Sequence, residues 1–176
     1  MPVVNHGRGG RCCLAMWAST TVFAVVAVAS GCGTGTSGSA FQRETDVYTA
    51  VLRAALAQGP TTTARPLVFV APLDEGSPLP LDVQAGVIAK LNKQAEMRFV
   101  DHPAQAIDTG AVGEPVLSGG VLFDLGTVPA SGTVVEVGAE RYRTAADQGT
   151  LRFSVRAIAA GWVAEVVADQ PRGSGG

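Results

Sequence analysis

The sequence predicts an α+β domain: two helices packed on one side of a mainly antiparallel sheet that ends in a four-strand meander. Two observations carry this. Between residues 44 and 101, segments with helical spacing alternate with short apolar runs. From Gly119 onward the pattern becomes apolar–polar alternation, broken at intervals by turn residues. The order helix, strand, helix, strand and then a four-strand meander segregates the helices to one side of a mainly antiparallel sheet.

Residues 1–31 read as an export signal. Arg8 and Arg11 form a positive start, and a largely apolar run from Cys12 ends in VFAVVAVA at residues 22–29. The small residues Ser30 and Gly31 then precede Cys32. That order defines a secretory signal, in which small residues let the backbone lie extended in a protease cleft. The stretch Ala29-Ser30-Gly31-Cys32 resembles the lipobox of bacterial lipoproteins, with Ala29 where that family usually has Leu or Val. The resemblance implies that Cys32 is lipidated and becomes the new N-terminus, so that the membrane is met through an N-terminal lipid. Two other readings stay open. Cys12–Ala29 is long enough for a retained anchor, although Ser19, Thr20 and Thr21 interrupt it. The segment also fits an ordinary signal peptide with a chance cysteine. All three place the rest of the chain beyond the cytoplasm.

Residues 33–40, GTGTSGSA, have the composition of flexible coil, so 32–43 is expected to be a tether. A single domain is expected over 44–170, with 171–176 a disordered tail. Within the domain, Val47, Val51, Leu52, Ala55 and Leu56 share a helical face over 44–58. Thr45 is placed to cap this helix, Asp46 suits its first turn, and Gly59-Pro60 ends it. PLVFVA at 66–71 reads as a buried strand, and the proline-rich stretch 72–81 as a loop. A second helix is expected over 82–94, with Asp82 as cap and Val83, Val87 and Leu91 on its apolar stripe. Gly86 lies within it at a propensity cost of about 1 kcal/mol against Ala. EMRFVD at 96–101 reads as a strand and 102–117 as a long irregular connection. The meander is assigned to 120–126, 134–142, 151–159 and 162–168. Its turns are placed at Pro129–Gly132, Gln148-Gly149 and Ala160-Gly161. Leu151, Phe153, Val155 and Ala157 alternate with Arg152, Ser154 and Arg156, which gives a strand with one wet face.

Composition excludes several chemistries. Removing residues 1–31 takes Arg8 and Arg11 and no acid from 13 basic and 15 acidic residues, leaving 11 against 15 and a net charge of −4. No basic block remains, so no nucleic-acid partner is expected. Cys12 and Cys13 leave with the signal, and Cys32 is the last thiol. An internal disulfide, a thiolate metal site and a cysteine nucleophile are thereby excluded from the domain.

The remaining candidates are sparse. Ile107-Asp108-Thr109-Gly110-Ala111 reproduces the hydrophobic-Asp-Thr-Gly-Ala signature of aspartic proteases, in which two aspartates share a proton. One copy would require a homodimer, and the later hydrophobic-Gly-Arg/Asn segment of those enzymes is absent. The expectation is a turn. His102 is the one histidine beyond the signal, and Ser118 is the nearest nucleophile in sequence but sits in no G-x-S-x-G elbow. Asp74-Glu75 matches no calcium loop. Arg141, Arg143, Arg152 and Arg156 with Glu136, Glu140 and Glu165 are expected to form a salt-bridged wet face. Trp162 is expected to pack at the last turn. Gly119-Gly120 precedes a strand, not the helix N-terminus that a phosphate cradle needs. No catalytic residues, cofactor or metal are therefore expected.

The ensemble is similar to small lipoproteins of high-GC actinobacteria. The likeness lies in the signal with Cys32, VYTAVLRAAL at 47–56, MRFVD at 97–101, GGVLFDLG at 119–126 and GWVAEVV at 161–167. It implies a cell-envelope location and no assigned reaction. The expectation is a non-enzymatic, lipid-anchored envelope protein on the extracytoplasmic face of the cell membrane that binds a small ligand or an envelope protein partner. The alternatives are a dimeric aspartic-type hydrolase using Asp108 and a purely structural envelope component.

Overall fold

A computed structural model describes residues 35–59, 65–74 and 77–171, with side chains from residue 40 to residue 170. The expected signal over 1–31, the lipid site Cys32 and the tail at 172–176 lie outside the described residues. Helix α1 spans Gly35–Ala57 and its apolar stripe, Val47, Val51, Leu52 and Ala55, is at most 5% exposed. Strand β1 (Leu67–Pro72), helix α2 (Leu81–Leu91) and strand β2 (Glu96–Phe99) follow. Strands β3 (Val121–Leu125), β4 (Val134–Thr144), β5 (Asp147–Ile158) and β6 (Gly161–Pro171) complete the chain.

All six strands form one sheet in the order β2-β1-β3-β4-β5-β6. β1 runs parallel to both β2 and β3, and from β3 to β6 each strand is antiparallel to the next. The α+β class, the meander and the placement of both helices on one face all match the sequence pattern. That face is dry. Val68 and Val70 of β1, Phe123 of β3, Val137 of β4, Leu151, Phe153 and Val155 of β5, and the stripes of both helices form one core. Burial of each Val or Leu of this set contributes about 1.5–3 kcal/mol. The Tyr48 hydroxyl donates to the Gly126 carbonyl at 3.1 Å and ties α1 to the end of β3.

Several local expectations are corrected. The tether expected over 32–43 is shorter, because residues 35–43 belong to α1. Apolar periodicity begins only at Val47, but the polar turns before it are held by other means. The Gln42 amide donates to Asp46, Arg43 donates to the Pro129 carbonyl at 3.2 Å, and the Arg43 guanidinium lies 4.6 Å from the Trp162 ring centre. Thr45 is no cap; it is 5% exposed inside the helix. α2 is capped by Pro80 without a side-chain hydrogen bond, and Asp82 sits in its first turn. The turn placed at Gln148-Gly149 falls at Ala145-Ala146, while Gln148 and Gly149 lie in β5.

The opposite face of the sheet is half covered. The connection over 102–117 is irregular, as expected, but it is anchored. A 3-10 turn at Pro103–Ala106 and an isolated bridge between Ile107 and Val116 bring Ala106 and Val116 onto Phe69, Ala71 and Leu122. Beyond β3 this face is wet, with Arg152 and Arg156 exposed between the buried residues of β5. No helix among the described residues is long and apolar enough to cross a membrane.

Gly86 of α2 packs against Thr45 of α1, and Lys90 of α2 pairs with Asp46 of α1 in the same contact. A Cβ at Gly86 would stand 2.6 Å from Thr45 Cγ2. Gly86→Ala is therefore expected to destabilise by about 1–3 kcal/mol in urea unfolding, despite its better helix propensity. Thr45→Ala in the same chain should recover most of that loss, because it removes the clashing methyl.

Candidate functional site

The helix-side face of the meander changes character along its length. Inward residues of β4 run Val135, Val137, Ala139 and then Arg141 and Arg143. On β5 the inward row ends in Gly149 and Asp147, and on β6 Asp169 stands opposite Leu151. α1 stops at Ala57, so the sheet extends past its cover. The small residues Ala55, Gly59, Gly119 and Gly120 leave room at this overhang.

The result is a cavity of about 320 Å³ between the end of α1 and the starts of β1 and β3. Leu56, Val121 and Phe123 provide apolar walls, while Arg141 and Arg143 enter from β4. Gly120 is required at its rim, since a Cβ there would lie 2.9 Å from the Leu67 carbonyl oxygen. The Arg141 side chain is 20% exposed. It stands opposite Gly149, which has no side chain to block it. Its nearest carboxylates are Asp147 at 3.5 Å and Asp169 at 3.9 Å, and Arg143 reaches Asp147 at 3.6 Å. These are ion pairs beyond the ordinary hydrogen-bond range. Arg141 Nε is buried and has no acceptor among the described residues.

A second polar feature lies on the other face. Asp124 of β3 stands directly across from Glu140 of β4, beside Leu122, Tyr142 and Ile107. Its Oδ1 is buried without a hydrogen-bond donor. Burial first, and the Glu140 charge second, push the Asp124 carboxyl up to about 7 from its ordinary 3.8.

The residues singled out in the sequence are dispersed. Asp108 is exposed in a turn, where its Oδ1 accepts from the Gly110 backbone N–H at 3.1 Å. That is an Asx-turn. His102 is exposed ahead of the 3-10 turn at 103–106, and no hydrogen bond joins it to Ser118 among the described residues. Asp74 accepts from Thr127 Oγ1 at 2.9 Å, and Glu75 lies outside the described residues. Among the described residues no group of three or more His, Cys, Asp or Glu side chains is placed to hold a metal ion. Arg156 does meet Glu165, at 3.6 Å, on the wet face. Arg141 and Arg143 do not belong to that face: they turn inward, where Arg141 meets Asp147 and Asp169 and Arg143 meets Asp147. Trp162 packs against the core beneath Arg43.

The cavity and the Asp124–Glu140 pair were not found from sequence, although each left a trace. For the cavity it is the switch from Val and Ala to Arg at inward positions of VVEVGAERYRT. For the pair it is one carboxylate within the apolar run VLFDL. The chain matches no protein-family model, no curated protein and no solved structure.

Asp124 carries a pH dependence with a definite sign. The folded carboxyl keeps its proton up to about pH 7, whereas the unfolded one releases it near 3.8. The folded state thus binds more protons between these values, and this group's contribution to stability falls as pH rises through that window. Asp124→Asn is expected to raise stability at pH 8 by about 1 kcal/mol, a figure reduced for the group's partial exposure, and to change it little at pH 4. Thermal melts of both proteins across that range check the crossover.

Proposed function

We propose that this chain is a lipid-anchored cell-envelope protein whose α+β domain binds a small ligand on the extracytoplasmic face of the cell membrane, without catalysing a reaction. The binding half is carried by one observation, the cavity at the end of α1. It has apolar walls and a few polar groups converging from one strand, the usual make-up of a small-molecule site. Among the described residues that line it, none pairs a nucleophile with an adjacent base. The anchoring half rests on Ala29-Ser30-Gly31-Cys32 and the apolar run before it. A lipid on Cys32 would hold the domain at the membrane with residues 1–31 removed.

Intact mass of protein from the membrane fraction tests the anchor. The expected species begins at Cys32 and carries acyl chains, and Cys32→Ala loses them. A wild-type chain without lipid that retains residues 1–31 would overturn this half. For the binding half, 3-phenylpropan-1-ol is expected to give transferred nuclear Overhauser contacts to the side chains of Leu56, Val121 and Phe123. Absence of any contact there would leave the domain a structural component.

A further inference from the structure

We infer that the ligand is a small apolar molecule ending in a single oxyanion, such as a carboxylate, taken from the aqueous phase. This rests on the binding reading above and names its ligand class. The volume of about 320 Å³ lies at the small end of ligand pockets and does not accommodate a two-chain phospholipid. Leu56, Val121 and Phe123 fit an aromatic or short aliphatic body, and the polar side chains among the described lining residues, Arg141 and Arg143, both come from β4.

Those groups are guanidiniums, so the head they meet is an acceptor. Arg141 and Arg143 both line the cavity, and the carboxylates of Asp147 and Asp169 stand 3.5 and 3.9 Å from the terminal nitrogens of Arg141, beyond the ordinary hydrogen-bond range. A guanidinium donates in a planar fork that fits a carboxylate, and a charged acceptor strengthens each bond over a neutral one. The two arginines are already offset by two aspartates. One further negative charge fits that balance better than two in a half-buried site. The carbonyl end of α1 near Gly59 works against an anion, which also favours the smaller charge.

The test uses the full chain in nanodiscs of zwitterionic lipid, with empty discs as the blank. Equilibrium dialysis compares 3-phenylpropionate, 3-phenylpropan-1-ol and 3-phenylpropylamine, which share one body and differ in the head. The anion is expected to bind at least tenfold tighter than the alcohol, and the amine weakest. Arg141→Gln should bring the anion down to the alcohol. Asp147→Asn, at a half-buried position near a turn, should tighten the anion severalfold by removing the acid that competes for both arginines. It keeps the inference open to refutation even if Arg141→Gln does not fold. An alcohol bound as tightly as the anion, or an Asp147→Asn chain that binds the anion more weakly, would sink the oxyanion head while leaving the cavity a binding site. If no probe binds the wild type, the binding reading itself fails.

Discussion

The rest of the structure depends on α1 lying across the meander. Val47, Val51 and Leu52 are fully buried against a sheet face that includes Phe153 and Leu151, and α2 leans on the same helix at Thr45 and Gly86. Most of a helix's stability in a protein comes from packing such a stripe, not from propensity. Here the packing also fixes where the dry face ends. α1 ends at Ala57, before the last inward positions of β4 and β5 are covered. The inward residues left there are Arg141, Arg143, Asp147 and Asp169. The candidate site is the consequence of where the helix stops.

The two faces of the sheet are finished differently. Opposite the helices, the 102–117 connection supplies a second cover, with Ala106 and Val116 laid on Phe69 and Leu122. It reaches only across β1 and β3. The edge of that cover is where Asp124 sits, shielded enough to be desolvated yet next to Glu140. The cavity, by contrast, opens at the starts of the parallel strands β1 and β3. Doubly wound sheets bind their ligands at the other end of such strands, so no analogy with those folds supports the site.

Much of the architecture was legible in the chain. The helical stripe at 47–56, the apolar run at 66–71 and the alternation of 151–157 each named an element, and the first and last also named its buried side. These are signals of burial, and burial decides the fold class. What was misplaced depended on contacts distant in sequence. The start of α1 is held by Arg43 reaching Pro129 and Trp162, which no local period reveals. Gly149 reads as a turn residue but serves as the gap in β5 over which Arg141 lies. The charged residues of the meander were seen, but their side of the sheet was not. Arg141 and Arg143 fall on the inward register of β4, and the pattern alone does not say that the helix has ended before reaching them.

Asp124 and Arg141 meet the same physical problem with different means. Each has a polar atom withdrawn from water and unmatched by the protein. Such an atom costs about 1–3 kcal/mol while it stays unpaired. A carboxyl can relieve that cost by taking a proton, and Asp124 does so over the range in which an ordinary aspartate is ionised. A guanidinium has no neutral form to adopt in a protein. Its charge therefore stays at the wall of the cavity, where its terminal nitrogens stand 3.5 and 3.9 Å from Asp147 and Asp169. The acid answers burial by changing its own charge, whereas the arginine keeps a fixed one, and an anionic head in the cavity would meet that charge.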